Sequence, residues 1–174
     1  MSNNQIQSAK RICDTLVLIT DLDKIGDGRS CAAYNQINPI FRDYNPDGPP
    51  NYYTSPVDNT IYTGNMAFII ISLGRLYLIT KEYKYLKSAS LIANFIHSNL
   101  QVDLPWAGFA GGFKWDGEKY VSISYRSTEH NIDVYAAARL LFGITNNPIF
   151  QNMMSAAQTF VLRMWNDEAK AYMW

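Results

Sequence analysis

The chain is most constrained by a helix with no polar face, which it writes twice. From Asn65 to Ile79 the residues Met66, Ala67, Phe68, Ile69, Ile70, Ile71, Leu73, Leu76 and Leu78 leave almost no hydrophilic side. The β-branched run Ile69-Ile70-Ile71 also suits a buried strand, but the length of the segment and its flanks predict a helix. From about Thr128 to Ile144 the pattern returns: Ile132 onward is apolar nearly all round, with Ala136, Ala137 and Ala138 in the middle. A helix of this kind is stable only when packed on most of its sides. Each is followed by a two-faced helix. The first of these, from Tyr83 to Asn99, sets Leu86, Ala89, Ile92, Ala93, Ile96 and Leu100 against Lys84, Lys87, Ser90, Asn94 and Ser98. The second starts at Pro148, a favoured first helical residue, and runs to about Trp165.

The two units are related by a shift of 65 residues: Ile79-Thr80 falls on Ile144-Thr145, Phe95 on Phe160, Ile96 on Val161 and Asn65 on His130. Each unit is a long aromatic loop, an apolar helix, a tight Ile-Thr turn and an amphipathic helix, hence an antiparallel helical hairpin. Apolar members belong inside and amphipathic members outside. The expected fold is therefore all-α, with helical hairpins layered around inner helices. A further helix from Gln5 to Thr20 carries Ile6, Ala9, Ile12, Cys13, Leu16, Val17 and Ile19 at helical spacing and takes an outer place. Two long connections, from Asp21 to Thr63 and from Gln101 to Arg126, both feed the N-termini of inner helices, so both gather at one end. Asp27-Gly28 and Asp47-Gly48-Pro49-Pro50 mark turns in the first. Its aromatics, Tyr34, Phe41, Tyr44, Tyr52, Tyr53 and Tyr62, argue for order. In the second, Asp116-Gly117 between aromatic runs predicts a β-hairpin. The last residues, Asn166 to Trp174, read as turn-like and exposed.

Composition narrows the function. With 174 residues and a formal net charge of zero, the chain is one domain and offers no electrostatic case for nucleic acid or a membrane surface. No basic region precedes a long apolar run, and no segment reads as long enough to span a bilayer, so a cytoplasmic protein is expected. Cys13 and Cys31 have neither metal-ligand nor disulfide spacing, and no cofactor is expected. Twelve Tyr, eight Phe and four Trp supply flat rings with polar edges, which suit sugar faces as well as cores.

The segments Thr63-Gly64-Asn65-Met66-Ala67, Gly111-Gly112-Phe113 and Ser127-Thr128-Glu129-His130-Asn131-Ile132-Asp133-Val134-Tyr135-Ala136 resemble bacterial proteins with the (α/α)6 toroid of six-hairpin glycosidases. The resemblance runs from Tyr62 to Trp165. It implies a carbohydrate ligand, bound in a cleft at one mouth of the toroid, and chemistry of hydrolysis, elimination or epimerisation. It also implies six hairpins, where this chain has two and a leading helix. The expectation is a partial toroid: a fragment, or a unit that pairs with another copy or with its missing half.

The candidate site is the head of the second inner helix. Ser127 or Thr128 can cap it. Glu129 and Asp133 then stand one turn apart on one face, where the helix dipole favours negative charge. A glycosidase needs a proton donor and a carboxylate flanking the sugar bond, about 5–5.5 Å apart for retention and about 6.5–9.5 Å for inversion. Glu129 is the candidate donor, because desolvation by aromatic walls favours a protonated carboxyl. Asp133 is the second carboxylate or a partner holding His130. Carboxylates on one side of one helix flank a bond awkwardly, so Asp58 or Asp116 is an alternative second group. His130 would be the base in an eliminating or epimerising enzyme. Arg126 is placed to hold Glu129 by charge. Trp106, Trp115 and Tyr62 are candidate sugar platforms, equally suited to filling the core, and Asn65 occupies the position that repeats as His130. Glu129, His130 and Asp133 do not suggest a metal site, because neighbours on a helix point apart. His97 reads as a partly exposed helical residue. A non-catalytic sugar-binding or scaffold protein is the alternative to an enzyme.

Overall fold

The computed structural model describes residues 3–22, 28, 33–34, 56–58, 60–103, 107–116 and 119–173. Among these residues five helices dominate: α1 (Asn3–Leu22), α2 (Thr63–Thr80), α3 (Tyr83–Leu100), α4 (Thr128–Thr145) and α5 (Pro148–Arg163). Among the described residues the strands are short: β1 (Ala33–Tyr34), β2 (Pro56–Asp58), β3 (Ile61–Tyr62), β4 (Gly112–Trp115), β5 (Tyr120–Ile123), β6 (Trp165–Asn166) and β7 (Ala171–Tyr172). The fold is all-α and of the α/α-toroid type, with α2–α3 and α4–α5 as its hairpins.

The repeat seen in the sequence is a repeat of geometry. Thr80 donates its hydroxyl to the Leu76 carbonyl and accepts the Glu82 N–H; Thr145 donates to Leu141 and accepts from Asn147. Lys81 and Asn146 then take the left-handed conformation, at φ 59° and 53°, and return their N–H groups to the Tyr77 and Phe142 carbonyls. This is the helix-ending device that usually calls for glycine. The repeat extends to the heads. The Thr63 hydroxyl donates to the Ala110 carbonyl at 2.5 Å, and Thr128 donates to Met173 at 2.6 Å. In each unit the chain leaving an outer helix passes beneath an inner-helix head and is tied there.

The inner helices α2 and α4 run parallel and touch at two glycines. A Cβ on Gly64 would stand 2.6 Å from His130 Cδ2, and one on Gly74 would stand 2.8 Å from Leu140 Cδ2. Glycine at both levels lets the helices approach closely along three turns. Met66, Ala67, Ile70, Leu73, Val134, Ala137, Ala138 and Leu141 fill the core between them and the outer helices, joined by Tyr85, Ile92, Ile96, Phe150 and Met153. Helix α1 takes the expected outer place and is pinned to α3 by charge. Lys10 meets Glu82 at 2.6 Å, Lys84 meets Asp14 at 2.6 Å, and the buried Tyr85 donates its hydroxyl to Asp14. Burial and that bond to Asp14 push the Tyr85 phenol up to about 12.

The inner helices are not buried on every side. Phe68 is 57% exposed on α2 and Ile132 is 47% exposed on α4, so each keeps one open flank. Contrary to the length expectation, α2 with 18 residues and a mean hydropathy of 1.3 is long and apolar enough to cross a membrane. Its buried residues instead line the core against α3 and α4.

Candidate functional site

A small sheet sets the two inner-helix heads side by side. Strand β4 pairs antiparallel with β3 on one side (Tyr62 opposite Gly112) and with β5 on the other (Trp115 opposite Tyr120). Strand β3 runs straight into α2, and β5 leads through residues 124–127 into α4. Gly111 is the knot between them. Its N–H is shared by the Ile123 and Tyr125 carbonyls at 3.0 and 2.7 Å, and its own carbonyl accepts the Thr63 N–H. Gly112 sits at φ 136°, where a Cβ would run into the Ile61 carbonyl, so only glycine fits.

The head of α4 is capped by Ser127, whose hydroxyl accepts the His130 N–H at 3.3 Å. Below it Asn131, fully buried, bonds both backbone groups of Phe109: Oδ1 accepts the N–H at 2.8 Å and Nδ2 donates to the carbonyl at 3.2 Å. Nδ2 also donates to the Ser127 carbonyl. One amide thus holds the 107–111 segment against the site.

On this frame stand Glu129, His130 and Asp133. Glu129 is exposed, so the desolvation expected for it is not found. Asp133 is the partly buried carboxylate. Desolvation, and then the negative charge of Glu129, push its carboxyl up to about 6, and its Oδ2 has no hydrogen-bond partner among the described residues. His130 lies over Gly64 between Tyr62 and Tyr125, with ring centroids 6.5 and 6.4 Å away. Burial lowers its pKa, against the opposing pull of Glu129, and its buried Nδ1 has no partner among the described residues. Buried polar groups are normally satisfied, so these two unpartnered atoms, one turn apart on α4, set Asp133 and His130 apart from the other side chains of this helix head.

Two cavities open here. One, of about 390 Å³, is lined by Thr128, Glu129, Ile132, Asp133, Tyr172 and Met173. Its far wall is the β6–β7 hairpin, in a segment whose sequence reads as turn-like and exposed. The other, of about 460 Å³, lies over the sheet between Tyr62, Lys114, Ser122, Ile123, Ser124 and Tyr125.

Of the candidate residues, Glu129, His130 and Asp133 come together, and Tyr62 joins them through His130. Asn65 is exposed on the first turn of α2. Arg126 places its guanidinium 5.7 Å from the centre of the Phe160 ring. Trp115, 44% exposed, packs edge-on against Tyr120 at the far end of β4 and lines neither cavity. Asp116 beside it accepts the Lys119 N–H in the hairpin turn. Asp58 pairs through its backbone with Ala33, and its side chain lies outside the described residues, as does Trp106. Sequence reasoning missed Asn131, Tyr125, Tyr172 and Met173. Only Asn131 carried a signal, an amide at the start of an otherwise apolar stem. Among the described residues no group of three His, Cys, Asp or Glu side chains is arranged to hold a metal ion.

No family model and no curated protein matches the sequence. Among solved structures the chain is similar to a family 76 glycoside hydrolase from a bovine Bacteroides thetaiotaomicron strain, with a TM-score of 0.56 and 18% identity. The match covers 67% of this chain and 26% of that one. At this identity the likeness is one of fold: a glycosidase-like helical arrangement.

Proposed function

We propose that this chain is a carbohydrate-active protein of glycoside hydrolase type, with Asp133 as proton donor and Glu129 as the carboxylate beside it. The observation that carries the reading is the Asp133 carboxyl, held near pH 6 in the wall of a sugar-sized cavity with one oxygen unbonded. A carboxyl that keeps its proton to near neutral pH is what a glycosidic oxygen needs as it leaves. The roles are thus exchanged relative to the sequence expectation, because the donor is the less exposed of the pair. Both carboxylates leave one side of α4, so the group on the far side of the bond comes from outside this helix. The likeness of fold to a glycoside hydrolase supports the reading.

A second reading, elimination or epimerisation of an acidic sugar, draws on His130. Burial favours its neutral form, and its buried Nδ1 has no hydrogen-bond partner among the described residues. The experiment is a panel of neutral and acidic oligosaccharides, followed by new reducing ends, by unsaturated sugar ends and by the thermal midpoint. Hydrolysis predicts reducing ends that Asp133→Asn abolishes while the ligand-induced midpoint shift survives. Unsaturated ends lost in His130→Ala select the second reading. A midpoint shift without product makes the chain a sugar-binding protein, and no shift with any sugar refutes the carbohydrate role.

A further inference from the structure

The open flank of α4 consists of Glu129, Ile132, Ala136, Arg139 and Gly143, all exposed and spaced three and four apart. Its equivalents on α2 under the 65-residue repeat include Gly64, Ala67 and Gly74, the flank that receives α4. The flank is therefore of the helix-receiving kind. In α4, however, the two close-approach glycines are replaced by Glu129 and Arg139. A parallel helix seated as α4 sits on α2 would meet a long charged side chain at both levels. Among the described residues neither Glu129 nor Arg139 has an ion-pair partner within the chain.

We infer that this flank is a two-fold docking surface for a second copy of the chain, with the two α4 helices antiparallel. The pattern is self-complementary about the level of Val134. Glu129 of one copy comes level with Arg139 of the other, and Ile132 comes level with Ala136, each contact occurring twice. That reciprocity is the mark of an isologous interface. The charges lie about 15 Å apart along the helix, so they bracket the apolar centre rather than occupy it. Ala136 is small enough to admit Ile132 of the other copy. An apolar groove of about 230 Å³, bounded by Ile132, Tyr135, Gln158, Val161 and Leu162, opens beside the dyad. Leu162, 62% exposed at its edge, is covered in the pair. Arg139 of the second copy then stands at the rim of the Glu129–Asp133 cavity, so dimerisation adds a cation to a wall that is acidic in the single chain. This inference does not rest on a carbohydrate function, and its test uses no sugar.

The test is sedimentation velocity of the full chain across micromolar concentrations at low and high salt, with circular dichroism as the check of folding. The chain should dimerise, more weakly in salt. Glu129→Arg and Arg139→Glu should each weaken the dimer roughly a hundredfold, since symmetry counts each substitution twice. The combined charge swap should restore it. A monomer throughout, or a dimer indifferent to both single reversals, would overturn the inference. Should the swapped chain not fold, Ala136→Trp decides. That substitution is at an exposed position, leaves every charge in place, and should disperse the dimer by filling its centre; a dimer that survives it is built elsewhere.

Discussion

Replacing Asn131 by alanine should loosen the site more than any change at the carboxylates. The amide makes three hydrogen bonds, to the Phe109 N–H at 2.8 Å, the Phe109 carbonyl at 3.2 Å and the Ser127 carbonyl at 2.8 Å. The Ser127 carbonyl also accepts the Asn131 N–H, so it remains bonded in the variant. Both backbone groups of Phe109, a fully buried residue, would be stranded. At about 1–3 kcal/mol for each unsatisfied buried group the cost is about 2–6 kcal/mol. For a chain of this size that lowers the thermal midpoint by roughly 10 °C. Denaturant melts give the loss directly, and hydrogen exchange at the Phe109 amide shows whether the loop lifts. Asn131→Asp should be no better, because it keeps the acceptor for the Phe109 N–H but turns a carboxylate toward two carbonyl oxygens. A loss below about 1 kcal/mol in Asn131→Ala, with the Phe109 amide still protected, would refute the claim that this side chain holds the segment.

Other outcomes follow from single contacts. Asp133 titrates near 6 in the folded chain against an ordinary 3.8, so its proton stabilises the fold. That contribution is full below about pH 4 and is lost as pH rises through 6. The stability of Asp133→Asn relative to the parent should therefore grow from pH 4.5 to 7.5 in paired melts, and a flat difference would remove the shifted carboxyl. Gly112→Ala should cost more than about 2 kcal/mol, because its φ of 136° and the Ile61 carbonyl leave no room for a Cβ. Gly143→Ala, in the last turn of α4 with nothing within 4 Å of an added Cβ, should gain up to about 0.5 kcal/mol; denaturant midpoints measure both. Thr128→Val loses the bond to the Met173 carbonyl, so amides of the Trp165–Tyr172 hairpin should exchange faster while those of α4 stay protected.

The helices were legible because their signals are local and repeated. The apolar runs of α2 and α4, Pro148 at the start of α5 and the Ile-Thr turns predicted elements that the structure places within a few residues. The strands were less so. The hairpin at Asp116-Gly117 has a turn signature, but β3 is two residues long and owes its existence to pairing with Gly112, a partner fifty positions away. The β6–β7 hairpin likewise reads as a turn until Thr128 and Met164 tie down Met173. The candidate residues were legible as a cluster on one face but not in how deeply each is buried. Spacing puts Glu129 and Asp133 on one face, yet which of them is shielded depends on what packs beyond the first turn. The inner helices were expected to be enclosed. Their open flanks at Phe68 and Ile132 follow from the number of neighbours, which hydrophobicity alone does not state.

The peptide at Gly111 has a kinetic consequence. Its N–H holds the strand entering α4, and its carbonyl holds the first residue of α2. Helix ends ordinarily fray one at a time, because each terminal turn has only its own bonds to lose. Here neither head opens without breaking a bond at the same residue that restrains the other. Amides at the heads of α2 and α4 should therefore be coupled in their opening, which native-state hydrogen exchange would show as similar protection at both heads. The two inner helices should then fray from their far ends, at Thr80 and Thr145, before their heads open.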